Sequence, residues 1–480
     1  MNFLDEDFLL ETETARELYH SVARDLPIID YHSHLSAEWM AADHRFRSIT
    51  EVWLEGDHYK WRAMRACGVP ERLITGDASD QEKFEAWART VPATLLNPLC
   101  HWTAMELKRP FGIDEMLTPE TASSIFQRCN DQLTGGPLTT MEILRQFRVA
   151  VVCTTDDPAD TLEAHRQLAL RHKPGTRVYP TWRPDKALAT DDVAAWNRWV
   201  ERLAQSADLT IGTWESFLAA LEKRHTAFDQ LGCRASDHGL ERMHAAPFTD
   251  AEAGTIFAAL RRGEAIPKEH TGLFRSALLH RMAILDHARG WVQQFHLGAL
   301  RNTNTRMRRL LGPDTGFDTV GDFDQVGPLA QFLDRLDEDD RLAKTILYNL
   351  NPASNLAFAA LAGCFNDGSV SGKIQFGAAW WFLDQLDGME AQIRTLSNTG
   401  LLSQFVGMVT DSRSFLSFPR HDYFRRLLCQ ILGEEVRRGR LPRDLKLLGE
   451  LVTKVSFFNA LNYFGFAPGE AASGLFSARR

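Results

Sequence analysis

The tripeptide His32-Ser33-His34 closes the apolar run Leu26-Pro27-Ile28-Ile29-Asp30-Tyr31. In a strand, residues two apart project from one face, so these two imidazoles can converge on a single metal ion. An apolar strand entered through a proline is of the kind that lines a parallel sheet or barrel. In a barrel the chemistry sits at the C-terminal strand ends. An isolated His-x-His is also a common packing pair, so its meaning depends on what the other strand ends bring.

The elements that must position those histidines can be read from periodicity. Segments 27–34, 149–155, 177–183, 232–238, 291–301, 345–351, 373–381 and 405–413 are short and rich in β-branched and apolar residues. Helical patterns at 160–172, 191–205, 214–231, 274–290 and 390–396 lie between them. Strand alternating with helix predicts a parallel α/β fold, and eight such units favour a barrel over an open sheet. Residues 35–147 show helical patterns and five tryptophans (Trp39, Trp53, Trp61, Trp87, Trp102) but no strand, which predicts an insertion roofing the site. A shorter insertion is expected at 241–271, terminal helices at 423–438 and 441–458, and a frayed tail from Ala467. The expected division is 1–34 (N-terminal helix and first strand), 35–147 (helical insertion), 148–422 (rest of the barrel) and 423–480 (C-terminal helices and tail).

The strand ends carry compatible groups. The third ends in Thr181-Trp182-Arg183-Pro184-Asp185 and the fourth in Ser236-Asp237-His238-Gly239. The fifth contains His296 and runs into Arg301, the seventh supplies Trp380 and Trp381, and the eighth ends in Thr410-Asp411-Ser412-Arg413. Strand eight lies beside strand one in a closed barrel, so Asp411 can complete a mononuclear site with His32 and His34, with His296 a further candidate. Blander readings stand beside these. His296 suits a core histidine, Asp237 and His238 suit a turn cap, Asp30 is structural, and Thr154 to Pro158 reads as a cap and turn. Trp380 and Trp381 should alternate faces, so only one reaches the pocket.

The chain has 480 residues, a formal net charge of -9, 44% hydrophobic and 24% charged residues. That is a globular composition, and its acidity excludes nucleic acid or an anionic membrane as the main partner. Seven scattered cysteines without a Cys-x-x-Cys pair, and an acidic N-terminus unlike a signal peptide, predict a cytoplasmic protein.

The stretches IDYHSHL, EGDHYKWRAMRACGV, TWRPDK, SDHG, FHLGALRNTNTR, KIQFGAAWWFLDQLDGM and GLLSQFVGMVTDSRSFLSFPRHDYFRR span nearly the whole chain in order. Through them it resembles the uronate (glucuronate) isomerases of the amidohydrolase superfamily. The resemblance implies a distorted (β/α)8 TIM-type barrel, here with a helical insertion after strand one and extra C-terminal helices. It implies interconversion of D-glucuronate with D-fructuronate and of D-galacturonate with D-tagaturonate through a cis-enediol. It also implies a divalent metal, expected to be zinc, on His32, His34 and Asp411, with its need for turnover left open. Tyr59, Arg183, Arg413 and His296 match functional positions of the family, as does one tryptophan of the pair, assigned to Trp380 with Trp381 as alternative. Substrate contacts are expected from Arg183, Trp380, His296, Arg301 and Asp237.

For the chemistry, Asp411 is the expected base and Tyr59 the acid or proton shuttle. Arg413, two residues on and on the same strand face, is expected to poise the carboxylate and stabilise the enediolate. Arg183 is expected to clamp the substrate carboxylate. The partner is a small hexuronate, and a homo-oligomer is expected. Asn351-Pro352-Ala353-Ser354-Asn355 departs from the family at a loop. The rival readings are a mononuclear hydrolase or deaminase on the same barrel, and a sugar-acid binder without activity.

Overall fold

The computed structural model describes residues 3–171 and 175–467. Its strands are β1 (Ile28–Asp30), β2 (Val149–Cys153), β3 (Arg177–Tyr179), β4 (Ala235–Leu240), β5 (Val292–Leu297), β6 (Ala299–Leu300), β7 (Thr319–Val320), β8 (Lys344–Asn349) and β9 (Ile374–Phe376). Parallel pairing orders them β1-β2-β3 and β4-β5-β8-β9, while β6 and β7 form a small antiparallel hairpin above β5. Trp182 splices the two parallel sheets, with bridges to Asp156 and Ser236. Helices on the outside alternate with these strands, and the result is a distorted (β/α)8 barrel.

The distortions have local causes. β3 ends at Tyr179 because Pro180 offers no N–H to the ladder, and the chain rejoins it only at Trp182. β9 ends at Phe376 rather than at the expected residue 381, so Trp380 and Trp381 lie in the following loop. The expected eighth strand, 405–413, is extended chain without a ladder. Gly407 (φ 87) and Asp411 (φ 47) both take left-handed conformations there. At 407 a Cβ would sit 2.3 Å from the Val455 carbonyl oxygen, so only glycine lets the C-terminal helices pack this close. Closure on β1 falls instead to a few bonds. Asp30 accepts from Thr410 N (2.8 Å) and Oγ1 (2.6 Å), Asp411 N donates to His32 O (3.2 Å), and His34 N donates to Ser412 O (2.9 Å).

Between β1 and β2 the chain is helical, with a second core built around Trp53, Trp87 and Trp102. Phe415, Leu416 and Phe418, just after Asp411, belong to that core, and burying Phe415 alone is worth about 2–3 kcal/mol. The helix His58–Ala66 starts on the Asp57 cap, whose Oδ1 accepts from Lys60 N at 2.9 Å. The same helix docks the loop between β6 and β7. Arg62 reaches the Asp318 carbonyl at 2.8 Å, and Arg65 reaches that of Thr315 at 2.6 Å.

In the shorter insertion lies the helix Asp250–Arg261, and the chain ends in helices Pro419–Arg437, Leu445–Thr453 and Asn459–Phe464. Beyond Ala467 the expected tail lies outside the described residues, as does position 172 of the expected helix 160–172, of which Glu163–Ala169 is helical. Among the described residues no helix is long and apolar enough to cross a membrane.

Candidate active site

The segment after β1 is fixed from both sides. Ser33 donates through N (3.0 Å) and Oγ (2.8 Å) to the Cys153 carbonyl of β2, which leaves His32 and His34 facing the barrel mouth. Both Nε2 atoms lie 3.0 Å from Asp411 Oδ1. The other carboxylate oxygen accepts the Trp380 indole N–H at 2.6 Å. Burial alone would raise the Asp411 pKa, but the N–H groups of His32 and His34 hold it well below the usual carboxylate range. Burial lowers His34 to about 4, so its imidazole is neutral as a metal ligand must be. For His32 the carboxylates of Asp237 and Asp411 outweigh burial and raise it.

Two imidazoles and one carboxylate whose donor atoms lie within 4.8 Å of one another fit a divalent cation. A second group, His32, Asp237 and His296, is equally compact. There the Arg183 Nε already sits 3.0 Å from Asp237 Oδ2, so a built-in cation occupies the position a metal would take. The first set is therefore the candidate metal centre.

Asp237 is no turn cap. Fully buried, it meets His296 Nδ1 at 2.7 Å through Oδ1, and Arg183 and His32 (3.9 Å) through Oδ2. Burial opposes its ionisation, but the cations around it hold the carboxyl far below its usual range. That bond fixes the proton of His296 on Nδ1 and leaves Nε2 buried without a partner among the described residues. The His296 ring stacks on Tyr348 (centroids 4.1 Å) and meets Trp380 edge-on (4.8 Å) at the cavity wall, so it is more than core packing. His238 turns away and stacks on Phe295 at 4.9 Å.

Four arginines line the cavity, Arg420 from the roof side and three others around it. Arg183 is braced by Asp185 (3.1 Å) as well as Asp237, and its Nη2 lies over Gly239, where a Cβ would stand 2.6 Å away. Arg301 pairs with Asp318 (3.0 Å) and lies 4.8 Å over the Trp381 ring. Arg413 departs from expectation. It is exposed, crosses Gly56, and makes no hydrogen bond or ion pair with another described residue. Without a strand at 405–413, and with Asp411 left-handed, Arg413 does not share the Asp411 face, and His32, His34 and Trp380 hold the carboxylate instead. The expected alternation of Trp380 and Trp381 fails for the same reason, because both lie beyond β9 and both line the cavity.

The cavity measures about 570 Å³, room for a hexose acid. On the roof side Tyr59 donates to Asp384 Oδ2 at 2.9 Å, and Arg420 approaches the same oxygen at 3.3 Å. Burial pushes the Tyr59 phenol well above its usual range. Under Tyr59, the buried Lys60 ammonium joins Asp57 (2.6 Å) to Glu106 (3.3 Å).

Sequence reasoning did not single out Asp384, Arg420 or the bracing role of Asp185. Asp185 follows Arg183 by two and so carries a spacing signal. Arg420 hides in the first turn of a helix, and Asp384 has no local signature. Thr154 to Pro158 is the cap and turn expected, with Asp156 Oδ2 accepting from Thr154 Oγ1 at 2.7 Å and from Thr181 N at 3.2 Å.

Comparison with known proteins places these features in a family. The family model for glucuronate isomerase matches residues 1–464. A uronate isomerase of Cellvibrio japonicus is 51% identical over 467 residues, covering 97% of this chain and 99% of its own. Among solved structures, the uronate isomerase of Thermotoga maritima superposes with a TM-score of 0.91 at 35% identity, covering 97% of this chain and 100% of its own. The glucuronate isomerase of Caulobacter crescentus gives 0.90 at 28% identity, with 98% of each chain covered.

Proposed function

The chain belongs to the glucuronate isomerase family, and from that premise we propose how its cavity turns an aldo-hexuronate into the keto form. The activity is that of an aldose–ketose isomerase on a sugar acid, D-glucuronate to D-fructuronate and D-galacturonate to D-tagaturonate. The observation that carries the residue assignment is the shared carboxylate: Asp411 takes two imidazoles on one oxygen and an indole on the other.

Asp411 takes the C2 proton and returns it to C1. Its low basicity is offset by its fixed position, because the Trp380 indole on one oxygen, and on the other the two imidazoles or the ion they would hold, leave it a single orientation. Tyr59, kept protonated by burial, moves the oxygen-bound proton between O2 and O1. Arg183 clamps the substrate carboxylate with its free Nη atoms, and Arg413 and Arg301 bring positive charge to the enediolate from the mouth. His296 offers its unpartnered Nε2 to a substrate hydroxyl, Trp380 walls the cavity beside it, and Asp237 positions both His296 and Arg183.

His32, His34 and Asp411 would hold the divalent ion, assigned as zinc on its nitrogen and carboxylate donors, and when bound it would orient and polarise substrate oxygens. We assign the protein to the cytoplasm, as its unpaired cysteines suit a reducing compartment. The exposed Leu95 and Leu96 would be covered in a homo-oligomer.

Ketose formation from D-glucuronate tests the reading. Wild-type protein should convert it, and Asp411→Asn should lose about 10³-fold or more in kcat while staying folded. An Asp411→Asn variant that turns over normally would remove the base assignment, and a wild type loaded with a divalent ion that converts neither uronate would remove the whole reading.

A further inference from the structure

Several buried titratable groups at the cavity take no part in these proton transfers, among them His58, Arg420 and Asp384. Asp384 lies three residues beyond Trp381, behind the cavity wall, and only 3% of it is exposed. Its Oδ2 receives the Tyr59 phenol at 2.9 Å and Arg420 Nη1 at 3.3 Å. Arg420 also lies 5.3 Å over the Tyr59 ring and 4.1 Å over that of Trp102, and it donates to the Thr410 carbonyl at 3.3 Å. The guanidinium is thereby fixed against the tyrosine, the aspartate and the chain just before Asp411.

Burial raises the Asp384 carboxyl to about 7; in its ionised form it accepts hydrogen bonds and cannot donate them, so the Tyr59 proton then points away from the cavity. The lone pairs of the phenol oxygen remain for the substrate side, where Tyr59 and Arg420 both line the cavity.

We propose that Asp384 is the positioning residue and proton partner of Tyr59, with Arg420 holding the pair, so that the phenol faces the substrate as an acceptor before it acts as a donor. This rests on Tyr59 being the oxygen-side shuttle. As the O2–H proton passes to the Tyr59 oxygen, the original phenol proton passes to Asp384. The new proton then goes from Tyr59 to O1, and Asp384 returns the first to the phenolate. One proton has moved from O2 to O1, the C2 proton has moved to C1 through Asp411, and Asp384 ends as it began, a carboxylate. A tyrosine without this partner would have to hold two protons or discharge one into the cavity.

A double-mutant cycle on the metal-loaded full chain separates this from a purely structural ion pair. Asp384→Asn should lower kcat about 10–100-fold, within the range of a positioned acid–base group, with KM changed less than about threefold. In a Tyr59→Phe background the same substitution should cost less than about twofold, since nothing is left for Asp384 to serve. Asp384→Glu should recover part of the lost kcat, and the solvent deuterium isotope effect on kcat should rise in Asp384→Asn as oxygen-side transfer becomes slow. Equal losses in both backgrounds, or an unchanged kcat in Asp384→Asn, would overturn the proposal while leaving Tyr59 as shuttle. A Tyr59→Phe variant with wild-type kcat would overturn the shuttle itself, and this inference with it. If melting shows that Asp384→Asn does not fold, the cycle is run with Asp384→Ser, which likewise has no carboxylate to take the proton, and the same two outcomes apply.

Discussion

Replacing Gly239 by alanine should impair turnover without impairing the fold. Gly239 lies in β4 beneath the Arg183 guanidinium, and an alanine Cβ would meet Nη2 at 2.6 Å, where ordinary contact begins near 3.4 Å. The guanidinium must retreat by about 0.8 Å. It cannot swing freely, because Nε is held at 3.0 Å by Asp237 and 3.1 Å by Asp185. A misplacement approaching 1 Å in a substrate clamp costs up to about 10²-fold, or about 2.7 kcal/mol of transition-state binding. Part of the strain relaxes into Asp185, so the expected loss in kcat/KM is about 10–100-fold. Stability should hold or rise slightly, because alanine suits extended backbone and restricts the unfolded chain. Initial rates with D-glucuronate, paired with a thermal melt, give both quantities. A folded Gly239→Ala variant with wild-type kcat/KM would refute the reasoning, since the clamp would then be either mobile or irrelevant.

Trp380→Phe removes the indole donor to Asp411 Oδ2 but keeps a ring against His296. A hydrogen bond to a charged group is worth about 1.5–3 kcal/mol, so kcat should fall about 10–150-fold. Trp381→Phe leaves Asp411 untouched and should cost less than about fivefold in kcat, so equal losses for the two variants would contradict the Asp411 anchoring. Away from the cavity, burial raises the Asp156 carboxyl to about 7, and its ionisation opposes folding. Its folded pKa lies above the unfolded one, so the wild type loses this contribution as pH rises from about 4 through 7, by up to about 4 kcal/mol. A carboxamide at this position does not titrate, so the melting temperature of Asp156→Asn minus that of wild type should grow from pH 4.5 to pH 8. His165, lowered to about 4 by burial, titrates in both proteins and largely cancels in that difference. A difference independent of pH would refute the assignment.

The sequence was most legible where chemistry and local pattern coincide. His32 and His34 share a face because Ser33 is pinned to β2 between them, and two-residue periodicity carries that information. The barrel's alternation of strand and helix was equally visible. What failed was extrapolation of strand periodicity past the true strand ends. Asp411 and Arg413 seemed to share a face, and Trp380 and Trp381 to oppose each other, only on the assumption of extended ladders. The left-handed residues Trp381 (φ 51) and Asp411 (φ 47) break that assumption. Aspartate takes positive φ more readily than most residues, but no turn motif marks Asp411, and the large Trp381 ring gives no such signal at all, so tertiary packing sets both conformations. Asp237 was named from the sequence as a substrate contact, but its bracing of Arg183 and His296 was hidden for a different reason. Its neighbours Arg183 and His296 come from β3 and β5 sides of the barrel, so its role exists only after closure.

Arg62 and Arg65 grip the loop before β7 by its main-chain oxygens, at Thr315, Gly316 and Asp318. Peptide carbonyls are the same whatever side chain follows, so the latch depends on the loop's amino-acid identity only at Gly316, where a Cβ would stand 3.0 Å from Arg65 Nη1, and at Phe317, whose ring lies 4.5 Å from the Arg65 guanidinium. Divergence can therefore rewrite residues 313 and 314, which border the cavity, without unfastening the roof from the barrel. The rim is free to explore new sugar stereochemistry while the hardware that keeps it in place is inherited unchanged.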